Sequence, residues 1–161
     1  MSIRLIVKEP DPVLREIAME VTKFNPNLKK LLKDMAETMY DAEGVGLAAP
    51  QIGISKRVIV VDVGDENGLV EMVNPVIVEQ DGEQLGPEGC LSIPNLNGEV
   101  RRADRIVVQG QNSDGEPITV NASGYFARAF QHEIDHLNGI LFTDLAESVY
   151  DISDRPRKGG E

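Results

Sequence analysis

Hydrophobic positions recur along this chain with two different periods. From Asn27 to about Ala42, Leu28, Leu31, Leu32, Met35 and Met39 are spaced by three and four, which predicts an amphipathic helix ended by Gly44 and Gly46. Phe126, Phe130, Ile134 and Leu137 form a second such stripe. That helix starts at Asn121 or Ser123 and stops at Asn138-Gly139, a left-handed cap signal. Asp11 to Ala18 reads as a short helix with Asp11 as its cap and Pro12 at its first position. Between the two long helices the pattern changes. Lys56 to Asp62 is an apolar, β-branched run typical of a buried strand, and Met72 to Glu79 reads as another, with Asn74-Pro75 marking an edge or a bend. Ile106 to Gln111 and Pro117 to Asn121 flank the turn residues Asn112 to Gly115. Strands grouped in the middle, with helices before and after, predict an α+β fold. In it, antiparallel or mixed sheets pack around the C-terminal helix.

Length bounds the organisation. The 161 residues fit one domain spanning 1–161, with a polar segment of about 150–161 expected to fray. No apolar run approaches the ~20 residues of a membrane helix, and the N-terminus has no signal-peptide pattern. Acidic residues outnumber basic ones 27 to 16, a formal charge of −11. Such a chain is ill suited to gripping nucleic acid through phosphates. A single cysteine forbids an internal disulfide. Together these features predict a cytoplasmic protein with neither membrane nor nucleic-acid partner.

Chemistry concentrates in the last helix. His132-Glu133-Ile134-Asp135-His136 contains both histidines of the chain, four residues apart and therefore on one helical face. Both rings can ligate one metal ion, with Glu133 placed to act on a water there; this is the H-E-x-x-H pattern of metallohydrolases. A catalytic tetrahedral metal takes three protein ligands and keeps one position open. Cys90 is the outstanding third candidate, although a lone cysteine is most often a small buried hydrophobe. Three Cys/His residues fall short of a closed structural site, which favours a reactive one. Gly44 to Gly53 superficially resembles a dinucleotide loop, but a helix precedes it, and Pro50 and Gly53 disfavour a helix after it. Its Gln51 offers an amide N–H suited to an oxyanion, or is simply a surface side chain. Glu88 is either a partner orienting a histidine or a solvated carboxylate. Arg128 shares the metal-facing side of the helix with Tyr125, and a salt bridge is its favoured role over contact with substrate carbonyls.

Three segments, Gly44 to Gln51, Glu88 to Ser92 and Gln131 to His136, together resemble the motifs of the peptide deformylase family, in order. The similarity runs from Asp11 to about Asp144. The resemblance implies a monomeric enzyme that removes the N-formyl group from the initiator methionine of nascent polypeptides. It implies Cys90, His132 and His136 as metal ligands, Glu133 as catalytic acid/base, and Gln51 with the backbone N–H of Leu91 as an oxyanion hole. Val45, Gly46, Gly89, Tyr125 and Ala129 would bind substrate, whose backbone would pair like an added strand. The cofactor would be one divalent metal ion, Fe2+ in the cell, with Zn2+, Ni2+ or Co2+ able to occupy the purified site. Relatives often carry a C-terminal helix associated with ribosome docking; seventeen residues with Pro156 and Gly159-Gly160 follow Asp144 here, which argues against it. Two other classes share the helix motif: a zincin-type endopeptidase and a non-catalytic metal-binding module.

Overall fold

The structure, a computed structural model, describes residues 3–152. A 3-10 turn at Pro12–Arg15 leads to helix α1 (Pro26–Asp41) and strand β1 (Gly46–Ala48). A second 3-10 turn, Ala49–Ile52, precedes β2 (Val58–Val61), β3 (Val70–Asp81), β4 (Gln84–Cys90), β5 (Ile93–Arg102), β6 (Arg105–Gln111) and β7 (Pro117–Ser123). Helices α2 (Gly124–Leu137) and α3 (Phe142–Leu145) and strand β8 (Ser148–Asp151) complete the order. The expected α+β class holds. All ladders between named strands are antiparallel: one sheet runs β1-β2-β3-β6-β7, the other β4-β5-β8.

Period-two alternation explains why β2 is apolar throughout. Ile59 and Val61 point to one face of the larger sheet, Val58 and Val60 to the other, and all four are inaccessible to solvent. The first face meets α2 through Phe126, Phe130, Ile134 and Leu137. The second meets α1 through the predicted stripe of Leu28, Leu31, Leu32, Met35 and Met39. The larger sheet is thus covered on both sides, and α2 is pinned by its apolar stripe. The helix turns its polar side toward β4 and β5, where Arg128 donates to the Val100 carbonyl and Gln131 to that of Ala103.

Helix starts follow their caps. Asn25 accepts from the Leu28 N–H, with Pro26 at the first helical position, and Asp11 accepts from the Val13 N–H. Ser123 sits at the start of α2, but its side chain makes no capping bond.

The structure chooses between two readings, adds a strand and corrects one expectation. Asn74-Pro75 marks a bend and not an edge: β3 lies between β2 and β6, and the register shifts between Val73 and Val76, with Asn74 at φ 53°. The segment before Cys90, for which no element is predicted, is β4, hairpinned to β5 across Leu91-Ser92. Alternation was masked there by glycine and proline. Tyr150 and Asp151 do not fray, because they pair with Asn97 and Leu96 at the edge of the smaller sheet. The rest of the expected tail, 153–161, lies outside the described residues.

Candidate metal centre and active site

Three chain segments meet at the polar side of α2. Cys90 ends β4 at a break in register, immediately before the hairpin turn. His132 and His136 project from successive turns of α2. Sγ of Cys90 and a nitrogen from each ring lie within 4.8 Å of one another, and Sγ is 3.3 Å from His136 Nε2. Ligands at ~2.3 Å (sulfur) and ~2.1 Å (nitrogen) around a tetrahedral ion stand about 3.4–3.6 Å apart, so the donor set is of the right size.

Ring orientation is set from behind. His132 Nδ1 is 2.9 Å from Glu88 Oε1, which leaves Nε2 for an ion. Glu88 is itself clamped by Arg102, through Nη2 and Nε at 2.8 Å each, and by Arg128 Nη1 at 2.6 Å. Arg102 also binds Asp135. Burial alone would raise the Glu88 carboxyl, but hydrogen bonds from Arg102 and His132 outweigh it and hold Glu88 at about 2. A buried, permanently ionised carboxylate therefore stands behind the histidine.

The electrostatics suit a cation. Burial opposes charge on both rings. At His136 burial wins and lowers its pKa, so the ring is neutral, the form that ligates metal. At His132 the Cys90 sulfur and the Glu88 carboxylate overcome burial and push its pKa up, which marks a local potential that favours positive charge. Glu133 is fully enclosed, and desolvation raises it to about 7. Among the described residues, the buried side-chain polar atoms with no hydrogen-bond partner are Glu133 Oε1 and His136 Nδ1, both in this cluster. Unpaired polar atoms are costly in a core and gather where a site awaits other chemistry.

Gln51 reaches the cluster from the Ala49–Ile52 turn. Its Oε1 accepts from the Ala48 N–H at 3.0 Å, which aims the amide nitrogen at Cys90 Sγ (3.6 Å) and Ser92 Oγ (3.3 Å). The surface-glutamine alternative is excluded, since Gln51 is buried. Glu88 is likewise no solvated carboxylate, and Arg128 makes the expected salt bridge. A cavity of about 510 Å3 opens onto these groups, and Val45, Gly46, Gly89, Leu91, Tyr125 and Ala129 all line it. Gly46 stands directly against the acid: a Cβ built on it would sit 2.5 Å from Glu133 Oε2. The sequence reading missed Arg102 and Ser92. Arg102 carried one usable signal, because a carboxylate buried behind a histidine demands a cation, but nothing local says which arginine supplies it.

A soft-donor triad beside an enclosed glutamate, on a helix between two antiparallel sheets, defines a metallohydrolase of the H-E-x-x-H class. Residues 3–151 match the family model described as polypeptide deformylase. The peptide deformylase of Carboxydothermus hydrogenoformans is 55% identical over 149 residues, 92% of this chain and 97% of that protein. That of Pelotomaculum thermopropionicum is 58% identical, covering 92% and 95%. The crystal structure of the Thermotoga maritima peptide deformylase superposes with a TM-score of 0.88 at 50% identity, covering 92% of this chain and all of that one. The chain belongs to the polypeptide deformylase family. It is a metal-dependent hydrolase that removes the N-formyl group from newly synthesised polypeptides, which displaces the endopeptidase and binding-module alternatives. No helix among the described residues is long and apolar enough to cross a membrane.

Proposed function

We propose that Cys90, His132 and His136 hold one Fe2+ ion and that Glu133, Gln51 and the Leu91 N–H carry the chemistry on the formyl group. The convergence of one sulfur, two ring nitrogens and an enclosed carboxylate on one cavity supports this reading. Bound there, the metal acidifies water and polarises the formyl oxygen. Thiolate and imidazole suit Fe2+, and Zn2+, Ni2+ or Co2+ as substitutes.

Glu133 accepts the proton of the attacking water and returns it to the departing amine as formate leaves. Desolvation raises its proton affinity above that of an ordinary carboxyl, which suits a group that takes up a proton and then passes it on. The Gln51 amide and the Leu91 N–H donate to the oxyanion as it develops. Edge strands β1 and β4 belong to different sheets and both border the cavity, so each offers an unpaired backbone edge to an extended peptide. Val45, Gly46 and Gly89 flank that path, and Tyr125 and Ala129 wall the compartment for the first side chain. The proposal extends to action as a single-domain monomer on formylmethionyl peptides in the cytoplasm.

The test is formate release from formyl-Met-Ala-Ser and acetyl-Met-Ala-Ser by protein purified without oxygen, with metal analysis. Only the formyl peptide should react. Glu133→Ala should keep the metal and lose activity; full activity in that variant refutes the assigned role.

A further inference from the structure

Arg128 is a buried cation on the wall of the substrate cavity. Its guanidinium is held firmly on one side. Nε donates to Gln84 Oε1 at 3.2 Å, and Nη1 donates to Glu88 Oε2 at 2.6 Å and to the carbonyls of Val100 (3.0 Å) and Gly86 (3.3 Å). Nη2 makes no hydrogen bond among the described residues. It is also absent from the buried atoms sealed without a partner, so it retains access to open space. On the strand side, a Cβ at Gly86 would stand 3.3 Å from Nη2. Tyr125 and His132, three and four positions away on the same side of α2, border the same cavity, as does the adjacent Ala129. Arg128, with its fixed guanidinium and one unbonded terminal nitrogen, thus lines the cavity that holds the compartment the proposed function gives to the first side chain.

We infer that Arg128 Nη2 widens the substrate range to peptides beginning with formyl-methionine sulfoxide, by donating to the sulfoxide oxygen. This inference rests on the reading of the cavity as the first-residue compartment. A thioether is a weak acceptor and leaves these N–H groups unused. Nascent chains of this kind begin with methionine, and oxidation of its sulfur produces a polar side chain of nearly the same length. A purely apolar compartment discriminates against that group, because burying an S=O with no donor carries the full desolvation penalty. Here the donor is in place and its geometry is locked by Glu88, Gln84 and two carbonyls. The hydrolysis itself is unchanged. The formyl C–N bond breaks, water supplies the oxygen that makes formate, the amine gains the proton, and the sulfur is neither oxidised nor reduced.

The experiment measures kcat/KM of metal-loaded protein on formyl-Met-Ala-Ser, on the norleucine analogue as an apolar reference, and on the sulfoxide peptide. Wild type should process the sulfoxide within about thirtyfold of methionine; a wider gap overturns the inference. Arg128→Leu should lower the sulfoxide-to-norleucine ratio by at least about tenfold, the loss expected for one hydrogen bond from a charged donor. Arg128→Lys keeps a cation opposite Glu88, removes the second terminal nitrogen, and should lower the same ratio even if the leucine variant fails to fold. A merely structural arginine lowers all substrates together, so a ratio that drops less than tenfold in the folded variants overturns the inference. Inactivity of wild type on formyl-Met-Ala-Ser would instead refute the proposed function itself.

Discussion

Replacing Gly46 by alanine should separate activity from stability. Gly46 does not adopt a positive φ, so alanine is compatible with the backbone there. The added methyl group, however, lands on Glu133: it would lie 2.5 Å from Oε2, 2.8 Å from Cγ and 3.0 Å from Cδ. Ordinary contact begins at 3.4 Å, so the carboxylate must retreat by 3.4 − 2.5, or 0.9 Å. Rotation of the carboxylate alone cannot relieve this, because Cγ is also too close. A displacement of about 1 Å in a reacting group costs on the order of a hundredfold in rate. Folding stability should change little, since a tolerated Gly→Ala gains about 0.4–1 kcal/mol by restricting the unfolded chain, which offsets the crowding. The assay compares kcat/KM on formyl-Met-Ala-Ser, metal content and the thermal midpoint between wild type and G46A. Activity down by roughly two decades with metal retained is the expected result. Undiminished activity at full metal occupancy would show that Glu133 does not need the position it holds here.

Three further outcomes follow from other contacts. Glu88→Ala leaves Arg102 and Arg128 buried without their shared carboxylate, so denaturant titration should show a loss of about 3–5 kcal/mol; metal affinity should also fall roughly 10- to 100-fold as His132 loses its Nδ1 partner. Burial raises the Asp34 carboxyl, but hydrogen bonds from Arg4 and Lys30 outweigh it and bring it below its ordinary value of 3.8. A lowered folded-state pKa means the ion pair stabilises fully above the unfolded value and is lost as pH falls through the folded one. The stability gap between wild type and Asp34→Asn should therefore be largest near neutrality and close below pH 3.8, as followed by thermal melts; a gap independent of pH would refute the pairing. Phe130 is completely enclosed, edge-on to Phe126 at 5.1 Å, so Phe130→Ala should cost about 3–5 kcal/mol in chemical denaturation.

Local pattern carried a large share of this molecule. The stripe from Leu28 to Met39 and the one from Phe126 to Leu137 specify helices because each apolar face must be buried, and the continuous run Val58 to Val61 specifies a strand covered on both sides. The spacing of His132 and His136 places two donors on one helical face whatever the surroundings. Strands β1, β4, β5 and β8 were not legible: Gly46, Gly86, Gly89 and Gly98 interrupt the alternation of the first three, and β8 is four residues long and pairs only with β5, far earlier in the chain. Cys90 lies 42 residues before His132 in the numbering, and only the β4–β5 hairpin carries its sulfur to the rings. The same holds for the guanidinium of Arg102 behind Glu88 and for Gly46 against Glu133. Periodicity is a property of neighbours in sequence, so it encodes elements and the donors that share a face. The ionised carboxylate behind His132, the raised pKa of Glu133 and the open side of Arg128 are properties of neighbours in space, and they exist only once two sheets have closed around one helix.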